Sequence, residues 1–173
     1  KGQEGAILSS VKAWCGPGSK VQAPSQVVTY VSAHDNWTLW DKLSLTVEDE
    51  AERMRANRMA AAVYMTCQGR IFFLSGEEAS RTKGGLENSY NAPIEINRLD
   101  WNRMYEQYEL VEYYSGLIAL RKRLPGLCDK SKDAWKRIRD EWKTDGVVGF
   151  LVDNHSESQP SLWETLCVIY NSR

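Results

Sequence analysis

Two short apolar runs constrain this chain more than any other feature. Val27-Val28-Thr29-Tyr30-Val31 runs directly into Ser32-Ala33-His34-Asp35-Asn36, and Ile71-Phe72-Phe73-Leu74 runs into Ser75-Gly76-Glu77-Glu78. Neither run alternates with polar residues, which is the pattern of a strand buried on both faces, as in a parallel sheet. Between them a helix is predicted from Thr46, as N-cap, to about Gln68. Glu48, Asp49 and Glu50 suit its first turn, and Val47, Ala51, Met54, Ala61 and Met65 share a face before Gly69 ends it. Strand, helix, strand is a β-α-β unit, and two strands joined that way are parallel. The fold class is therefore α/β.

The flanks are less regular. Residues 1–26 read as a polar stretch broken by Cys15-Gly16-Pro17-Gly18, and a short helical turn is expected around Thr38–Leu43. Residues 79–104 read as a long polar loop, and loops of that length are usually functional or disordered. A second long helix is expected over about Glu106–Arg123. A third is expected from Ser131, as cap, to about Lys143, with Trp135, Ile138 and Trp142 on one side. After Asp145-Gly146 the period changes to that of two antiparallel strands, Val147–Val152 and Leu166–Tyr170.

Composition excludes several classes. Twenty-two Lys and Arg against 23 Asp and Glu leave a net charge of −1, so no overall basic field draws in nucleic acid or anionic lipid. No apolar run approaches the ~20 residues of a membrane-spanning helix. The four cysteines form no CxxC pair and lie far from both histidines, so they read as free thiols, with no metal site, and suit a reducing compartment such as the cytoplasm. The chain starts at Lys1, so targeting is not readable from it. No GxGxxG, P-loop, HExxH or GxSxG motif occurs, which leaves nucleotide, zinc-protease and serine-hydrolase chemistry unsupported. Seven Trp and eight Tyr against three Phe favour rings with a polar handle, useful as sugar platforms and equally in cores.

In parallel α/β folds ligand sites collect at the C-terminal ends of the strands. That singles out His34, Asp35, Asn36, Glu77 and Glu78, with the 79–104 loop as a rim. Each has a plainer alternative. Asp35 or Asn36 suits a helix cap, and His34 suits a structural histidine. Glu77-Glu78 suits a solvated loop edge, or one of the two a pair with Arg81 or Lys83, and Trp37 and Trp40 suit a plug at the strand–helix junction. Arg121–Arg123 reads as a helix C-terminal charge pattern, and Arg137 and Arg139 as solvated.

The segment Val28–Leu43, with its core Ser32-Ala33-His34-Asp35-Asn36-Trp37, resembles the last catalytic motif of the type I pullulanases, glycogen-debranching members of the α-amylase family (glycoside hydrolase family thirteen). Gly69–Glu78 resembles that family's eighth barrel strand and its Gly-Glu-Glu ending. Arg81-Thr82-Lys83, Glu87–Pro93 and Asp100-Trp101 match the pattern that follows. Gly146–Phe150 and Val168–Asn171 resemble the opening strands of the β-sandwich behind the barrel. Four motifs in this order cover nearly the whole chain.

The resemblance implies residues 1–143 as the last two β/α units of an incomplete (β/α)8 (TIM) barrel, and 144–173 as the start of a C-terminal antiparallel β-sandwich. It implies α-glucan as substrate and no cofactor. Asp35 would be the catalytic carboxylate that stabilises the transition state. His34 would bind the same sugar, and Asn88, Tyr90 and Asn91 would lie near the glucan cleft. Gly76 and Glu77 would shape the barrel mouth. A retaining glycosidase also needs a nucleophile and an acid/base ~5–5.5 Å apart. In the family these come from an Arg-x-Asp segment and a Gly-Glu-containing segment upstream of the His-Asp motif, and the Gly/Pro-broken stretch before Val27 contains neither. The 173-residue chain alone is therefore expected to be inactive, its natural partner being the missing N-terminal part of the same enzyme. The rival expectations are a non-catalytic glucan-binding or fragment-complementing module, and a plain α/β domain with a structural His-Asp.

Overall fold

A computed structural model of the chain describes residues 2–158, 161 and 163–173. In chain order its elements are helix α1 (Glu4–Val11), strand β1 (Val28–Thr29), helices α2 (Leu39–Ser44) and α3 (Glu50–Met65), and strand β2 (Arg70–Ile71). Helices α4 (Ile94–Asn97), α5 (Trp101–Glu106), α6 (Tyr108–Lys122) and α7 (Pro125–Cys128) follow, then strands β3 (Ile138–Thr144), β4 (Val147–Asp153) and β5 (Thr165–Asn171). The chain folds into two compact units, one of residues 1–29, 63–71 and 118–173, the other of 30–62 and 72–117.

In the first unit β1 and β2 pair in parallel, Val28 with Arg70 and Thr29 with Ile71, as the β-α-β order requires. The strands are shorter than the apolar runs and are not buried on both faces. Val28 is exposed while Val27 and Thr29 are half-buried, and Arg70 is exposed beside a half-buried Ile71. Burial alternates because one face of the pair is left uncovered, and among the described residues each strand is paired along one edge only.

β3, β4 and β5 form an antiparallel sheet in that order. β4 is central, and Val148, Phe150 and Val152 on it are buried together with Leu124, Leu127 and Val11. The expected β4 and β5 are present; the loop between them lies partly outside the described residues. The expected third helix is not formed. Ala134–Arg137 makes one 3-10 turn, and Ile138–Thr144 is a strand paired with β4 through the Asp145-Gly146 turn, where Gly146 has φ +72°. A bulge between Arg139 and Trp142, with Asp140 at φ +50°, lays the Trp142 ring over Gly149, where any Cβ would overlap it.

Four further expectations need correction. Residues 4–11 are helical, with Glu4 Oε1 accepting from the Gly146 amide at 2.9 Å and Lys12 Nζ paired with Glu141 at 2.8 Å. α3 starts at Glu50 and not after Thr46, because Asp49 Oδ1 accepts from the Glu52 amide (2.8 Å) while the Thr46 hydroxyl turns back to the Leu43 carbonyl. The 79–104 segment is not loop throughout, since it holds α4 and the start of α5, which Asp100 caps by accepting from the Asn102 amide at 3.0 Å. Arg121 lies in the last turn of α6, as expected, and its guanidinium also serves more distant backbone. It donates to the carbonyls of Met65, Cys67, Gly69 and Leu127, and so supplies partners to backbone left open where α3 ends. Arg137 likewise is tied down, to Asp129 at 2.7 Å and to the Asp153 and His155 carbonyls.

All four cysteines are free; Cys15 and Cys67 are buried, Cys128 and Cys167 exposed. Burial pushes the Cys67 thiol up to about 12, and only a thiolate is an effective nucleophile. Titration of the folded chain with an aromatic disulfide reagent at about pH 8 should therefore modify Cys128 and Cys167 quickly and the other two only after denaturation. Four equally fast thiols would contradict this packing.

Candidate active site

The residues singled out at the strand ends all fall in the second unit. Tyr30 and Phe72, each following its strand, touch edge to face at 5.8 Å, and the two polar loops leave from there. Thr38 caps α2, its Oγ1 accepting from the Asp41 amide at 3.1 Å. Asp35 and Asn36 are therefore not the cap, which removes one of their plainer alternatives. Asn36 sits instead at φ +61°, a left-handed position that Asn tolerates better than most residues, and it turns the chain sharply before the helix.

This turn leaves His34 and Asp35 projecting from the protein, their side chains 84% and 75% exposed, with His34 Nε2 3.4 Å from Asp35 Oδ2. An exposed imidazole and carboxylate side by side can hydrogen-bond neighbouring hydroxyls of one polyol. Asn88, Tyr90 and Asn91 are also exposed, Tyr90 by 82%. Lys83 links the two groups through backbone, its Nζ donating to the carbonyls of His34 (3.2 Å) and Glu87 (3.4 Å). Trp37 Nε1 donates to the Gly85 carbonyl at 3.0 Å, a second tie between the same loops.

Glu77 behaves differently. It is buried, and its carboxylate accepts from the Ser32 hydroxyl at 2.5 Å and the Tyr114 hydroxyl at 3.1 Å, while Asn57 Nδ2 donates to Tyr114 at 3.4 Å. The carboxylate thus joins the 32–38 loop to α6 from beneath. Glu78 accepts from the Gly76 amide at 2.9 Å. Arg81 donates to the Ser75 and Asn97 carbonyls, so the expected pairing of a glutamate with Arg81 or Lys83 gives way to these contacts. Gly76 has φ +92°, and a Cβ there would sit 2.9 Å from Arg81 Cδ, so a side chain is excluded on two counts.

Trp40 is buried, with the Arg53 and Arg103 guanidiniums 5.1 and 5.6 Å from its ring centroid, so it is packing. Trp101 and Tyr105 are exposed. Ser32 and Asp41 hold the site's loops in place, and the sequence does not single them out. Asp41, buried on α2, accepts from the Thr82 hydroxyl and, at 2.8 Å, from the Lys83 amide. No local pattern marks either, since their partners lie more than forty residues away in the chain. A cavity of about 250 Å³ bounded by Arg81, Leu99, Asp100 and Arg103 does not include His34 or Asp35. Among the described residues no group of three or more His, Cys, Asp or Glu is placed to hold a metal ion.

Loops leaving parallel strands thus carry an exposed His-Asp pair over a buried polar network, and the comparison with known proteins gives the chain its relatives among the glycoside hydrolases. The chain is a relative of the pullulanases. It is 41% identical to the pullulanase of Bacillus subtilis (strain 168) over 120 residues, which are 68% of this chain and 17% of that protein. The solved pullulanase from Bacillus acidopullulyticus superposes with a TM-score of 0.89 at 33% identity, over 98% of this chain and 21% of that one. The Paenibacillus barengoltzii pullulanase, solved with maltohexaose and α-cyclodextrin, also gives 0.89, at 37% identity over 99% of this chain and 27% of that one. No family model matches the chain. The chain thus spans between a sixth and about a quarter of the length of these relatives.

Proposed function

We propose that the chain is part of a retaining α-glucan debranching hydrolase acting on α-1,6-glucosidic bonds of pullulan, starch or glycogen. The observation that carries this reading is the exposed, adjacent His34 and Asp35 on a sharply turned loop. Asp35 accepts hydrogen bonds from the hydroxyls of the distorted sugar and stabilises the positive charge of the oxocarbenium-like transition state. His34 donates to the same sugar, and Asn88, Tyr90 and Asn91 line the cleft. In this reading the part of the chain before β3 completes a (β/α)8 barrel whose other strands lie in the missing N-terminal part of the enzyme, its natural partner, and the all-β domain begins with β3 at Ile138, a few residues before the expected boundary at 143. The half-exposed faces of β1 and β2 support it, since an apolar strand face is normally covered. Maltooligosaccharide complexes of the relatives support glucan as the ligand.

The nucleophile and the acid/base belong to segments outside this sequence, so the 173-residue chain alone should release no reducing ends from pullulan or α-limit dextrin. Turnover by the pure chain would refute the division of roles.

A further inference from the structure

Lys83 is 3% exposed, yet its amino group reaches two backbone carbonyls that belong to different loops, His34 O at 3.2 Å and Glu87 O at 3.4 Å. The first loop carries His34 and Asp35; the second leads directly into Asn88, Tyr90 and Asn91. Lys83 is itself fixed from behind, because its amide donates to Asp41 Oδ2 at 2.8 Å and the Thr82 hydroxyl bonds the other oxygen of that carboxylate. Asp41 is buried on α2, one turn after the Thr38 cap. A rigid path therefore runs from α2 through Asp41 to Lys83, and from one amino group to both loops.

We infer that Lys83 is a positioning residue, which sets the spacing of the two substrate-facing loops and thereby aims His34 and Asp35. The inference rests on the role proposed above for those two residues. His34 and Asp35 project into solvent, so the direction of their side chains is set by the backbone beneath them. That backbone turns at Asn36 with φ +61° and is pinned at the His34 carbonyl by Lys83. Catalytic groups tolerate little misplacement, and a shift of about 1 Å can cost about 100-fold in rate. An amino group on a four-carbon stem can reach both carbonyls from inside the protein; an apolar side chain of the same length leaves both without this donor.

The test is made in the full-length enzyme carrying this chain, with Asp35→Asn measured beside it. Lys83→Met should retain the wild-type circular dichroism. Its kcat on pullulan should fall about 10–100-fold, with KM changed by less than about threefold. Lys83→Arg, which keeps donors at the same place, should recover most of the loss. A folded Lys83→Met with wild-type kcat, or with its whole loss in KM, would overturn the inference. NMR of the unmutated enzyme gives a reading that does not depend on how a variant folds. The Lys83 side-chain nitrogen should show hydrogen-bond couplings to the carbonyl carbons of His34 and Glu87. An amino group exchanging as fast as the exposed lysines would overturn the inference too. Full activity of Asp35→Asn would instead remove the reading of the site on which it depends.

Discussion

Asp35→Asn in the whole enzyme should lower kcat on pullulan by about 100- to 1,000-fold, the usual cost of removing one preorganised charge partner of a transition state. Substrate binding should change far less. Asparagine has nearly the same shape and still hydrogen-bonds a sugar hydroxyl, so ground-state contacts survive. What is lost is the negative charge that opposes the developing oxocarbenium ion, an interaction present in full only at the transition state. Folding should be untouched, because the Asp35 side chain is 75% exposed and its close ionic neighbour among the described residues is His34 at 3.4 Å. Even a fully charged exposed pair contributes only about 0–1 kcal/mol to stability. Steady-state kinetics with circular dichroism on both proteins separates the cases. Near-normal turnover from a folded variant would exclude Asp35 from the catalytic role, and a rise in KM alone would make it a binding residue.

Much of this site is legible from local pattern. An apolar run ending in polar residues locates both loops, and Asn36 and Thr38 make the turn and the cap with residue types suited to them. The supports are not legible. Glu77 reads as a loop-edge glutamate until Ser32, 45 residues before it, and Tyr114, 37 residues after it, are seen to bury it. Lys83 reads as an ion-pair partner until its amino group is found on two carbonyls. Such contacts are set by the packing of segments remote in sequence.

The expected third helix fails for a different reason. Ile138 and Trp142 are four residues apart, a spacing that serves one helical turn and equally one face of a regular strand, although the bulge between Arg139 and Trp142 puts the two on opposite faces of β3. The tie is broken by the Asp145-Gly146 dipeptide, a hairpin turn that places β3 beside β4. Near the N-terminus the usual stop signals are lacking where they are needed. Glu4–Val11 is helical, and Ala13 and Trp14, both at positive φ, end it without a glycine or proline.

The largest effect on stability is expected from Gly126→Ala. Gly126 has an ordinary negative φ, so its role is spatial and no conformational argument applies. A Cβ there would overlap the Asp153 carbonyl oxygen and lie 2.7 Å from Val152 Cγ1, and the first of these is backbone that cannot rotate away. The same residue makes two buried hydrogen bonds, its amide to Asn154 Oδ1 at 3.2 Å and its carbonyl from Gln68 Nε2 at 2.9 Å. Pushing α7 from the end of β4 strains or breaks both at once. Overpacking of a tight contact and loss of buried hydrogen bonds together should cost about 3 kcal/mol or more. For a chain of this size that is a fall in Tm of roughly 6–12 °C. Gly116→Ala is the matched control. Gly116 lies inside α6, and a methyl group added there would meet no atom within 4 Å. Alanine should therefore raise stability by about 0.5–1 kcal/mol through its better helix propensity. Thermal and urea unfolding of the two variants should move in opposite directions. A Gly126→Ala chain as stable as wild type would mean that α7 and the end of β4 pack more loosely than this overlap implies.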